Sequence, residues 1–194
     1  KNKFDLAGFA VGVVDKKFLL KKNKIKRNDL VLAIPSSGLH SNGYSLIRHI
    51  INKKKLNMKK ILTSNIKNEL LKPTKIYVKE IINLNQKRLL NGCANITGGG
   101  ILNNLIRIVP KGLCLNIDLE KIRTTKIFKW LKKNNISDSE MISTFNCGVG
   151  FCLIVNKNNV EKVKKKFSHK YKPYEIGYVS KNNQKITTYG KLKW

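Results

Sequence analysis

The residues best equipped for chemistry lie in three short polar strings that carry glycine. The first is Ser36-Ser37-Gly38-Leu39-His40-Ser41-Asn42-Gly43, with three hydroxyls, an amide, an imidazole and two glycines. It sits between an apolar run and an amphipathic one. A loop of that kind presents backbone N–H groups and hydroxyls at a helix start, which suits a phosphate or another anion. An ordinary polar turn with a helix cap has the same composition. The second string is Thr97-Gly98-Gly99-Gly100. Three consecutive glycines lose much entropy on folding, which is easier to explain where a ligand approaches the backbone closely. The third is Phe145-Asn146-Cys147-Gly148-Val149-Gly150. A thiol nucleophile is conceivable there, but the preferred reading is a structural cysteine at a strand start. Asp5 reads as a cap before an apolar strand, and His49 and His169 receive no role.

The elements that must hold these strings follow from hydrophobic spacing. Asp5 to Val14 reads as a strand, and Asp29 to Pro35 as a short buried strand ended by proline. Tyr44 to Asn52 places Leu46, Ile47, Ile50 and Ile51 on one helical face. Lys53 to Asn68 reads as an exposed connection. Pro73 suits the first turn of a helix reaching about Asn83, with Ile76, Tyr77, Ile81 and Leu84 on one face. Ile101 to Val109 is a further helix, stopped by Pro110, and Leu113 to Ile117 a strand. Thr124 to Lys133 and Ser137 to Thr144 read as helices, the second opened by a capping box of Ser137 and Glu140. Gly148 to Val155 is a strand and Val160 to Phe167 an amphipathic helix. Tyr174 to Val179 and Lys185 to Tyr189 suggest a terminal hairpin. Strands and helices mix throughout, so the expected class is α+β in layers, a mixed β-sheet flanked by helices. No G-x-G-x-x-G supports a dinucleotide-binding sheet.

Composition bounds the function. The 194 residues, 41% apolar, suffice for one domain with its own core. No apolar run is long enough to span a membrane, and Lys1 to Asp5 leads into no signal-peptide pattern. Cys93, Cys114, Cys147 and Cys152 form no C-x-x-C pair, so no metal site is expected and the thiols fit a reducing, cytoplasmic setting. The net charge of +29 suggests a polyanion partner. The excess is mostly Lys, scattered along the chain, with no aromatic RNA-binding motif between the lysines. Asn and Ile are also abundant, and all three residues share A/T-rich codons. Nucleic acid is therefore not the expected partner, and a non-catalytic basic module binding RNA or another polyanion is the alternative reading.

The order of the strings is more specific than any one of them. DLAGFAVGVV, SSGLHSNGYSLIR, LLKPTKIYVKEI, ANITGGG with Asn104 and Arg107 behind it, and TFNCGVG together resemble the C-terminal domain of the aminoimidazole ribonucleotide synthetase (phosphoribosylformylglycinamidine cyclo-ligase) family. The resemblance covers essentially the whole chain. It implies ATP-dependent cyclisation of formylglycinamidine ribonucleotide to aminoimidazole ribonucleotide in purine biosynthesis. ATP and Mg²⁺ would be held mainly by an N-terminal domain absent from this chain. The full-length form would be a homodimer, and residues 1–194 alone would be inactive. The resemblance places Ser37, Gly38, His40, Ser41 and Asn42 along the active-site cleft, with His40 handling protons. It brings Thr97, Gly98, Gly99 and Gly100 to a phosphate, and makes Asn146 a supporting cleft residue. Asn95 stands where the family usually has His, and Asn103-Asn104 where it has Glu-Asn.

Overall fold

A computed structural model describes residues 7–55, 57 and 65–194. The proposed cap at Asp5, the Lys59-Lys60 pair and the middle of the Lys-rich connection lie outside the described residues.

Six strands form one mixed sheet: β1 (Leu30–Pro35), β2 (Gly92–Asn95), β3 (Leu113–Asp118), β4 (Val149–Val155), β5 (Tyr174–Lys181) and β6 (Ile186–Tyr189). Their spatial order is β2-β4-β1-β5-β3-β6. All neighbours are antiparallel except β3 and β6. Seven α-helices accompany them among the described residues: α1 (Tyr44–Lys53), α2 (Asn65–Leu70), α3 (Val78–Gln86), α4 (Gly100–Leu105), α5 (Lys126–Lys133), α6 (Asp138–Thr144) and α7 (Val160–Lys164).

The period of two in β1 divides the core. Val31 and Ala33 face one layer with Ile47, Ile50 and Ile51 of α1, Ile101 and Leu105 of α4, and Ile127, Phe128 and Leu131 of α5. Leu32 and Ile34 face the other layer, with Leu84 of α3 and Val163 of α7. A central strand buried on both faces reads as a continuous apolar run, as Leu30 to Ile34 does. The α+β class with helices on both faces is thus observed.

Local chemistry explains several ends. Ser137 Oγ accepts the Glu140 N–H at 3.2 Å, the first half of the expected capping box. Pro35 closes β1 where the β1–β4 register shifts.

Three expectations need correction. Residues 7–14 join no ladder: Phe9, Val11 and Val13 are 94%, 83% and 101% exposed. A Cβ added at Gly8 or Gly12 would meet nothing within 4 Å, and a lone strand has no hydrogen-bond partner of its own. The helix expected from Pro73 starts at Val78. Residues 73–77 instead use their backbone to grip the first glycine loop: Pro73 O accepts from Ser37 Oγ at 2.7 Å and Lys75 N donates to it at 3.2 Å. The terminal strands form, but not as a hairpin. β3 lies between them, antiparallel to β5 and parallel to β6, so Leu115 pairs with both Val179 and Ile186.

Candidate functional site: the loops at one end of the sheet

The strand directions gather the polar strings. Pro35 pairs with Val149, Ala33 with Tyr174, and Asn95 with Phe151. The segments after β1 and β2 and before β4 and β5 therefore emerge at one end of the sheet, as does the segment after β3. The first and second strings meet there: a Cβ on Gly98 would lie 3.3 Å from Asn42 Oδ1.

The 36–43 loop is tightly determined. His40 and Ser41 take consecutive left-handed conformations, φ 53° and 60°, which cost a non-glycine residue about 1–2 kcal/mol each. Asn42 Nδ2 offsets this by donating to His40 O at 2.7 Å. His40 is 6% exposed, and its Nε2 accepts the Ser37 backbone N–H at 3.0 Å. The ring is therefore a neutral imidazole with its proton on Nδ1, which has no protein partner among the described residues. Burial pulls its pKa from 6.5 to about 4. Ser37 Oγ also lies 3.0 Å from Nε2, but its proton points at Pro73 O. Ser41 Oγ is exposed, 3.4 Å from Thr74 Oγ1. Gly38 is buried. Gly43, at φ 78°, lets Phe145 approach where a Cβ would be 2.1 Å from the ring.

Asn146 joins the third string to the first. It is 2% exposed, and its Oδ1 accepts from Ser36 Oγ at 3.1 Å and Gly148 N at 2.9 Å. Its Nδ2 donates to Gly38 O at 2.9 Å. One side chain thus fixes both loops.

The three glycines of the second string have different tasks. Gly98 is exposed beside Asn42. Gly99 turns the chain at φ 93°. Gly100 is buried, and a Cβ there would lie 1.8 Å from Ile142 O. Its lack of a side chain is what lets α4 cross α6. Packing, rather than ligand approach, accounts for this glycine. Asn104 is the residue that sequence reasoning underused. It is 4% exposed, and its amide donates to Gly100 O at 2.7 Å and lies 3.4 Å from Thr97 O and Gly98 O. Its place four residues after Gly100, on the buried face of a short helix, was the available signal.

Residues 26–190 match the family described as AIR synthase related protein, C-terminal domain. The chain belongs to this family. It is 42% identical over 186 residues to the phosphoribosylformylglycinamidine cyclo-ligase of Clostridium perfringens, covering 94% of this chain and 55% of that one. The cyclo-ligase of Thermodesulfovibrio yellowstonii is 42% identical over 194 residues, covering 96% of this chain and 57% of the relative. The chain thus spans about half the length of the curated relatives it matches. Among solved structures, thiamine-monophosphate kinase from Stenotrophomonas maltophilia superposes with a TM-score of 0.60 at 14% identity, over 90% of this chain and 54% of that one. T. maritima PurL complexed with AMPPCP gives 0.54 at 10% identity, over 91% and 25%. These likenesses establish the fold.

In this AIR-synthase-related domain an apolar cleft of about 310 Å³ is walled by Thr74, Tyr77, Val78, Ile82, Asn95 and Phe151, and the first loop reaches two of these residues, Ser41 touching Thr74 and His40 touching Tyr77. Asn95 is exposed at its rim. Tyr77 is buried against His40, centroids 6.0 Å apart, and against Phe151 at 5.5 Å, while its hydroxyl donates to Pro35 O at 2.8 Å. Gly150 makes room for both rings: a Cβ there would be 2.0 Å from the Tyr77 hydroxyl and 2.6 Å from His40 Cε1. Cys147 is fully buried, its thiol donates to Met141 O at 3.3 Å, and burial pushes its pKa up to about 12. That is a structural thiol. Among the described residues no three His, Cys, Asp or Glu side chains cluster to hold a metal. No helix among them is long and apolar enough to cross a membrane.

Proposed function

We propose that the chain is the C-terminal part of an enzyme that closes the imidazole ring of aminoimidazole ribonucleotide at the expense of ATP. The observation that carries the reading is the meeting of the Ser37–Asn42 loop with the Gly98 turn, in a chain 42% identical to cyclo-ligases over nearly its whole length. In the proposed reaction the formyl amide oxygen of formylglycinamidine ribonucleotide attacks the terminal phosphorus of ATP and ADP leaves. An amidine nitrogen then attacks the activated carbon, the C–O bond breaks, phosphate departs and the ring nitrogen loses its proton. Little covalent work falls to the protein, and rate comes from positioning and charge stabilisation.

In this reading Ser41, Asn42, Thr97 and Gly98 face the ligand with hydroxyl, amide and backbone donors. Gly99 shapes their turn. Ser37, Gly38, Gly100 and Asn146 hold the loops in place. His40 is the candidate proton-handling group, with its Nδ1–H as the donor it would present to a ligand. Two facts frame that role: its Nε2 is engaged by Ser37 N, and its neutral form is favoured. A hydrogen-bond donor at Nδ1 fits both. In this reading the Mg²⁺ ligands come mainly from an N-terminal ATP-binding domain. The exposed segment Phe9–Val14 and the apolar wall at Ile76 and Val78, 73% and 59% exposed, suit contact with such a domain. A homodimer of the longer protein is part of the same proposal.

The test is conversion of formylglycinamidine ribonucleotide to aminoimidazole ribonucleotide by this chain combined with its N-terminal domain. Turnover is expected, abolished in a Gly98→Val enzyme and absent from the 194-residue chain alone. A well-folded combined protein without turnover, or turnover from this chain by itself, refutes the proposal.

A further inference from the structure

A second cavity lies away from the glycine loops. It is an open pocket of about 560 Å³, bounded by the segment after β3, α7 and the start of β5. It shares no residue with the site above, although Arg123 O packs on the 145–148 turn, where a Cβ on Gly148 would meet it at 2.3 Å. Four cationic side chains line it: Lys121, Arg123, Lys164 and Lys172. Two are matched, Lys121 by Glu175 at 3.4 Å and Lys164 by Glu161 at 2.8 Å. Arg123 and Lys172 have no carboxylate partner among the described residues.

Arg123 is also held in position. Its guanidinium lies 4.2 Å from the centroid of the buried Tyr174 ring, and its backbone N–H donates to the Tyr174 hydroxyl at 3.2 Å. An arginine stacked on an aromatic face keeps its N–H fork free for a planar or tetrahedral anion and loses less entropy in binding it. The lysines elsewhere are scattered; here a positioned arginine and an unmatched lysine converge on a cavity whose one acidic lining residue, Glu175, is taken up by Lys121.

We propose that this pocket is a binding site for an oligophosphate group, the di- or triphosphate portion of a small molecule. The size of the cavity exceeds what one phosphate fills. The Tyr174 ring is covered by Arg123 and gives no stacking platform of the kind single-stranded nucleic acid uses. The proposal does not rest on the cyclo-ligase reading.

Tripolyphosphate titrated calorimetrically into the 194-residue chain at 0.15 M salt tests it. One site per chain is expected, with orthophosphate binding about tenfold more weakly or less. The double variant Arg123→Gln/Lys172→Gln should weaken tripolyphosphate about tenfold or more. Lys181→Gln/Lys185→Gln removes the same charge at the opposite end of the sheet and should leave affinity within about threefold. Thermal midpoints of both variants confirm that each remains folded. Equal weakening by the two pairs, several equivalents bound per chain, or no binding overturns the proposal. So does a single-stranded oligonucleotide that binds more tightly and loses that affinity in the Arg123/Lys172 variant.

Discussion

Acidification tests the arrangement around His40 most directly. Its Nε2 accepts the Ser37 N–H at 3.0 Å, so protonating the ring turns an acceptor into a donor facing a donor. Burial lowers the folded-state pKa from 6.5 to about 4. A base whose pKa is depressed on folding binds fewer protons in the folded state than in the unfolded one. Stability therefore rises with pH between about 4 and 6.5, and is lost as pH falls through that window. At about 1.4 kcal/mol per pH unit the ceiling for a drop from pH 7 to 5 is about 2 kcal/mol. Screening by solvent at the cleft reduces this to about 1 kcal/mol, or about 2–4 °C in thermal midpoint for a chain of this size. Other groups also change charge on acidification, so the useful quantity is a difference. Parent and His40→Gln should be compared by denaturant unfolding at pH 7.5, 6.5, 5.5 and 5.0. The stability advantage of the parent should shrink by about 1 kcal/mol across that series. An advantage independent of pH would show that His40 is not held as a neutral acceptor. An advantage that grows on acidification would reverse the sign and refute the geometry.

Other perturbations separate packing from ligand contact. Gly150→Ala places a methyl 2.0 Å from the Tyr77 hydroxyl and 2.6 Å from His40 Cε1. It should cost about 1–3 kcal/mol in chemical denaturation, and no loss would mean the two rings are mobile. Asn146→Ala leaves Ser36 Oγ, Gly148 N and Gly38 O without their shared partner. A loss of about 2–4 kcal/mol is expected, and a value near zero would refute its role as the joint between loops. Cys147 should resist alkylation at pH 8 until the chain unfolds, because its thiol is buried with a pKa near 12. Labelling of the native protein as fast as a free thiol would contradict that burial.

What was legible in the sequence was local or patterned. Ile47, Ile50 and Ile51 announced a helical face, and they are buried in α1. Ser137 announced its cap through a residue three positions away. The polar strings declared themselves by composition, and their order pointed to the family that the chain belongs to. What failed depended on partners distant in sequence. Nothing in Tyr174–Tyr189 reveals that β3 takes the place between two strands joined by a short turn. Pro73 is compatible with a first helical turn, but Ser37, far upstream, claims the carbonyl and amide of that segment. Residues 8–14 have strand character and no ladder, because propensity cannot supply the hydrogen bonds of a neighbouring strand.

The glycines carry the same lesson into the site. Gly98, Gly99 and Gly100 look alike in sequence, yet only Gly98 is both exposed and beside the other loop. Gly100 is demanded by a carbonyl of α6, as Gly43 is by Phe145 and Gly150 by Tyr77 and His40. A glycine-rich string can therefore leave its backbone open at one position and make a helix contact two residues later. Phe145 O, at 3.1 Å, is also among the atoms that a Cβ on Gly100 would meet. The packing glycines thus fix the second string against the third, while Asn146 fixes the third against the first. Through these contacts the half-buried amide of Asn42 and the exposed backbone of Gly98 are placed by buried groups. Substitution of those buried groups should disturb binding and stability together, whereas changes at Ser41, exposed at the cleft, should alter binding with little effect on the fold.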